Sequence, residues 1–100
     1  MAYEMMVGLT VRDDAVYRQY REAMTPLLEQ HGGGFRYDFV VSDVLKTEAD
    51  HPINRVFAIY FRDRAAKDAF FDHADYKQVR ARFFDASVGG TTILSEYERQ

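Results

Sequence analysis

From Tyr3 to Val11 the chain alternates: Tyr3, Met5, Val7, Leu9 and Val11 fall on one side, Glu4, Met6, Gly8 and Thr10 on the other. A period of two predicts a half-buried strand. After Arg12 the period changes. Val16/Tyr17, Tyr20, Ala23/Met24, Leu27/Leu28 and His31 recur at helical spacing, with Arg18, Gln19, Arg21, Glu22 and Glu29 mostly off that stripe. Asp13 suits the N-cap, because its carboxylate can accept from orphan backbone N–H groups, and Asp14 adds negative charge near the positive end of the helix dipole. Pro26 deletes one internal hydrogen bond and predicts a kink near Met24 rather than two helices. Gly32-Gly33-Gly34 ends the helix, since left-handed backbone costs glycine little.

A second strand is expected from Phe35 to about Lys46. Phe35, Tyr37, Phe39 and Val41 share one face, Val40 and Val44 take the other, and the slip in phase predicts a bulge near Ser42. Thr47–Asn54 is a loop containing Pro52. Arg55–Phe61 is a third strand, with Phe57, Ile59 and Phe61 opposite Val56, Ala58 and Tyr60. Asp63 caps a second helix that carries Ala66, Ala69/Phe70, His73, Tyr76/Lys77, Arg80 and Phe83/Phe84 and is expected to break near His73-Ala74-Asp75, because Phe71 falls out of phase. Ser87–Gly90 reads as a turn and Thr91–Tyr97 as the last strand.

The order β-α-β-β-α-β is the ferredoxin-like pattern: an α+β fold in which two helices cover one face of a four-stranded antiparallel sheet. The set Met5, Val7, Leu9, Phe57, Ile59 and Phe61 is expected to meet the helices. The opposite set, Met6, Gly8, Val40, Val56, Ala58, Tyr60 and Leu94, would leave an apolar patch of several hundred Å². At ~25 cal/mol per Å², its burial is worth roughly 5–10 kcal/mol before association costs. The expectation is therefore a homodimer through the sheet faces.

One hundred residues make a single domain, 1–100. Eight Phe and seven Tyr crowd it, with no Trp. The absence of Cys excludes disulfides, thiolate metal sites and a cysteine nucleophile. A net charge of −3, with 13 basic residues scattered among 16 acidic ones, argues against nucleic-acid binding. The N-terminal MAYEMMVGLTV lacks the basic region and uninterrupted apolar run of a signal peptide, and no apolar run approaches a membrane span. These features predict a cytoplasmic protein with no membrane partner.

The segments VRDDAVYRQYREAMTPLLEQHGGGF, NRVFAIYF and DRAAKDAFFDHADY, in this order and spacing, resemble the domain of unknown function 1330 family of the dimeric α/β-barrel superfamily. The matching positions are Asp13, Tyr17, Tyr20, Gly32, Gly33, Arg55, Val56, Phe70 and Tyr76. His73, Asp75 and Phe83 depart from the pattern, where Ser, Glu and Arg are common. The resemblance implies a dimeric α/β barrel in which two sheets face each other. It implies no settled activity, although fold neighbours include cofactor-independent monooxygenases and haem-handling proteins.

Among candidate chemical groups, His73, Tyr76 and Arg80 follow at i, i+3 and i+7 and can line one wall of a pocket between helices and sheet. There His73 would be the catalytic proton acceptor, Tyr76 a hydrogen-bond donor and Arg80 an anion holder. The competing reading makes His73 a helix cap, Tyr76 core and Arg80 an ion pair. Tyr17, Tyr20, Tyr37 and Tyr60 can line an aromatic pocket or act as amphipathic core. Arg55 can grip a carboxylate ligand or pair with Asp38 or Asp43. His31 suits a helix C-terminus, and His51 reads as a solvated loop residue. The three histidines lack metal-site spacing, so no metal is expected, and no cofactor is implied. Two functions follow: a binding module for a small hydrophobic or aromatic metabolite, or a cofactor-independent monooxygenase or isomerase acting on a phenolic or enol substrate.

Overall fold

Strand β1, Ala2–Val11, forms as its alternation requires in the computed structural model, which describes residues 1–100. Tyr3, Met5, Val7, Leu9 and Val11 are all buried. The strand is central in a sheet of order β2-β3-β1-β4, with every pairing antiparallel.

Helix α1, Asp14–Gln30, begins where the Val16 N–H donates to Asp13 Oδ1 at 3.1 Å. It buries Tyr17, Tyr20, Met24 and Leu28, the stripe predicted by period, and runs as one helix through Pro26. Gly32 then takes φ 67°, and a Cβ on Gly33 would come within 2.5 Å of the Tyr60 carbonyl oxygen. Only glycine permits so sharp an exit toward the sheet.

Strand β2, Gly34–Val40, corrects two expectations. It stops at Val40 rather than Lys46, and its bulge lies at Arg36 rather than Ser42. Phe35 opposes Ile59 on the helix side, whereas Tyr37 opposes Ala58 and Phe39 opposes Val56 on the other side. The ladder ends because its partner, β3, spans only Arg55–Phe61. The extra residue keeps Phe35 against the core and sends the Arg36 guanidinium to Glu4, a use of bulges common on edge strands. Val40 opposes Arg55 and so belongs to the helix-side register, not to the outer set.

Asp63 Oδ1 accepts from the Ala66 N–H at 2.7 Å and starts helix α2, Arg64–Asp72. The expected break falls at His73, which is extended, and α3 follows over Ala74–Val79. A π-helical segment, Arg80–Phe84, and a short turn α4, Asp85–Ser87, lead directly into β4, Val88–Arg99. The turn expected at Ser87–Gly90 is thus part helix and part strand: Val88 and Gly90 already pair with Val11 and Thr10. Register shifts beside Gly89 and Leu94 let this long strand follow β1 along its whole length.

The core lies between helices and sheet. Phe61 and Phe70 are fully buried, and the Phe70 and Tyr76 rings lie 4.4 Å apart.

Candidate functional site

A cavity of about 200 Å³ opens between the helical layer and the sheet. Its floor is Met5, Val7 and Leu9 of β1 with Phe57 and Ile59 of β3, the inward set of the alternation. Helix α1 contributes Tyr17, Tyr20, Arg21 and Met24, and α3 contributes Tyr76. The π-helical segment supplies its first and last residues, Arg80 and Phe84, with the Arg80 guanidinium 4.9 Å from the Phe84 ring centre. Inserting one residue per turn in this way widens a helix locally and is frequent at functional sites. Arg80, Thr91 and Ile93 are the exposed members of the wall and mark the mouth.

The polar groups here are few. The Tyr20 and Tyr76 hydroxyls are hydrogen-bonded to each other at 2.8 Å. Arg21 Nε donates to the Tyr17 hydroxyl at 2.9 Å, and its guanidinium stacks 3.7 Å above Phe35. Arg21 Nη2 approaches Asp38 Oδ2 to 3.2 Å, yet the geometry makes no hydrogen bond and leaves a buried donor unpaired. Asp38 instead accepts two bonds from Arg55, at 2.8 and 2.9 Å. Burial pushes the Tyr20 phenol well above its ordinary pKa and raises Tyr17 and Tyr76 also. All three hydroxyls therefore stay protonated near neutral pH. Burial opposes ionisation of Asp38, but Arg55 and Arg21 outweigh it and hold the carboxyl below its usual range. No Asp, Glu or His lines the cavity.

Of the residues expected to form a site, Tyr17, Tyr76 and Arg80 line this cavity, with Tyr20 beside them. His73 does not. Its Nδ1 accepts from the Asp75 N–H at 3.1 Å, capping α3, and its ring packs edge-on against His31 at 5.9 Å. The i, i+3, i+7 relation to Tyr76 and Arg80 assumed one continuous helix, and the extended backbone at His73 interrupts it. Tyr37 and Tyr60 face away on the other side of the sheet, Tyr37 stacked on Phe39 and Tyr60 beneath the Arg36 guanidinium. His31 Nδ1–H donates to the Leu27 carbonyl at 2.7 Å. Arg21 escaped the sequence reading because it lies off the apolar stripe of α1. Its signal was an unassigned cation one residue from Tyr20 and four from Tyr17.

The outer face of the sheet holds a wider groove of about 1040 Å³, open to solvent, between segment 41–53 and residues such as Val56 and Leu94. His51 fastens this segment, with Nε2 2.7 Å from Thr92 Oγ1 and Nδ1 2.8 Å from Thr10 Oγ1, and is not the solvated residue expected. Asn54 clamps β1 through two bonds of 2.8 Å to the Val11 backbone. No three His, Cys, Asp or Glu side chains converge to hold a metal, and no helix is long and apolar enough to cross a membrane.

The sequence profile described as Domain of unknown function (DUF1330) matches residues 2–97. The chain belongs to this family. Among curated proteins none matches the chain. Among solved structures, a protein of unknown function from Rhodopseudomonas palustris is similar with a TM-score of 0.82 at 16% identity, covering 99% of this chain and 82% of that one. A Bacteroides fragilis protein described as dimeric, of unknown function and ferredoxin-like, gives 0.60 at 15% identity over 98% and 96%. A Nitrosomonas europaea protein, provisionally described as an antibiotic biosynthesis monooxygenase, gives 0.54 at 22% over 96% and 88%. These likenesses establish the ferredoxin-like fold.

Proposed function

We propose that this DUF1330 member is a small-molecule binding module whose hydrophobic or aromatic ligand occupies the cavity between helices and sheet. The observation that carries this reading is the cavity itself. Protein interiors are close-packed, with few voids larger than a water molecule. Wall atoms facing such a space lack packing partners, and an apolar ligand would supply them. The wall is mainly hydrophobic and opens to the surface at Arg80, Thr91 and Ile93, as a ligand site requires.

The working unit in this reading is a homodimer through the outer sheet faces. Tyr37, Phe39 and Leu94 stay exposed on a face that no helix covers, and the Bacteroides fragilis neighbour is described as dimeric. The oxygenase or isomerase alternative draws on the Nitrosomonas europaea neighbour. Binding fits the geometry better, because the cavity wall offers hydrogen-bond donors and no imidazole or carboxylate to take a proton.

Methyl NMR with ethylbenzene as probe tests the cavity. Ethylbenzene should shift the Met24 and Ile93 methyl signals, and Ile93→Trp, which plugs the mouth, should abolish the shift at Met24. An unshifted Met24 methyl in the wild-type protein at millimolar probe overturns the reading.

A further inference from the structure

We infer that the cavity selects a small aromatic carboxylate: one ring in the apolar interior and one anionic group held by Tyr20, Tyr76, Arg21 and Arg80. This rests on reading the cavity as a binding site and adds the chemistry of what enters.

Size sets the first limit. A cavity of about 150 Å³ lined by apolar side chains accepts one benzene, so about 200 Å³ takes a single substituted ring and not a fused polycycle or a lipid chain. The polar inventory sets the second. In the Tyr20–Tyr76 pair one hydroxyl donates to the other. The accepting hydroxyl therefore keeps a proton with no partner, inside a mainly apolar wall. Arg21 lines the same space and makes one aligned hydrogen bond, to Tyr17. Its carboxylate neighbour Asp38 takes both of its aligned bonds from Arg55, which leaves the Arg21 Nη2 donor unpaired beside the cavity. Arg80, at the mouth, is paired only loosely, 3.9 Å from Asp85.

Every one of these groups offers a proton, and none is a base ready to accept one. A hydrocarbon would leave the spare donors unpaired, which is costly in a buried place. An amine would meet Arg21 and Arg80 and be repelled. A carboxylate satisfies the donors and balances the charge, with bonds stronger than neutral ones. Burial keeps the phenols in the protonated state that this requires.

The test is calorimetric titration of the full chain with phenylacetate, phenylacetamide and ethylbenzene, with the Met24 and Ile93 methyl signals locating the bound molecule. Phenylacetate should bind at least about tenfold more tightly than the amide. That preference should fall below about threefold in Arg80→Met and in the Tyr20→Phe/Tyr76→Phe double variant. Equal affinity for acid, amide and hydrocarbon overturns this inference while leaving the cavity a binding site. No binding of any of the three, with the methyl signals unmoved, overturns both.

Discussion

On the helix side of the sheet, every inward residue of β1 is buried beneath α1 to α3, and Phe61 and Phe70 have no exposed surface. On the outer side the same strands show three different zones. At one end Glu4 is buried among Arg36, Arg99 and Tyr97. At the other, Ile53 closes over Gly8, reaching 3.0 Å from where a Cβ would stand, and His51 bridges Thr10 and Thr92. Along the β2 edge of the same face Tyr37 and Phe39 stay about half exposed, at 55% and 53%. A helical layer hides apolar surface by shape alone, whereas the outer face combines an ion cluster, a folded-back segment and an uncovered strip. That strip, with Leu94, is the apolar surface the proposed second copy would cover, and it is smaller and more polar-edged than strict alternation implies.

The largest expected effect breaks the inner face. Phe70→Ala should cost about 3–5 kcal/mol in urea unfolding, because the ring leaves a cavity among Phe61, Phe71 and Tyr76. Phe39→Ala should cost less than about 1 kcal/mol in the isolated subunit, but should weaken the proposed homodimer, read as a shift toward monomer in sedimentation. Equal losses at low protein concentration would show that the two faces do not differ as described. A Phe39 variant that sediments like the wild type would remove the strip from the dimer interface.

What the sequence disclosed follows from this contrast. The alternation of β1 and β3 and the stripe of α1 are periodic, and a core packed by shape reads directly from period. Asp13 and Asp63 were legible as caps because capping needs one residue type at one place. The bulge at Arg36 was not, since it depends on the length of β3 and on Glu4, which is 32 residues away in the chain. The site was legible in part. Tyr17, Tyr20 and Tyr76 lie on apolar stripes, but Arg21 faces the cavity through a contact with Asp38 that only the folded sheet brings near. His73 was placed by assuming a continuous helix, and its own ring caps the turn that ends that continuity.

A middle-sized effect sharpens the outer face. Burial works against ionisation of Glu4, but hydrogen bonds from Tyr97, Arg36 and Arg99 prevail and hold its pKa below the usual 4.5. A carboxyl with a depressed folded pKa stabilises the protein above the unfolded value and loses that contribution as pH falls through the folded one. Glu4→Gln should cost about 1–3 kcal/mol at pH 7, and the deficit should shrink progressively below about pH 4.5. A deficit that persists undiminished at pH 3 would mean the side chain stabilises by packing rather than by charge.

The smallest effect separates the folded-back segment from the sheet beneath it. The contacts around His51 fit a proton on Nδ1: Thr10 donates to the Pro52 carbonyl and accepts from Nδ1, while Thr92 donates to Nε2. His51→Ala removes the bridge but spares Asn54, whose paired bonds to Val11 and whose backbone N–H to the Leu9 carbonyl hold the segment's root. Global stability should therefore fall by less than about 1 kcal/mol, within the range of one ordinary hydrogen bond. Local opening should respond more visibly. The Val41 N–H, which donates to the Asn54 carbonyl at 2.9 Å, should exchange with solvent roughly five- to tenfold faster, while the β1 amides keep their protection. Unchanged exchange at Val41 would assign the fastening to Asn54 and Ile53 alone. Faster exchange throughout β1 would make the segment part of the core rather than a cover laid over one end of it.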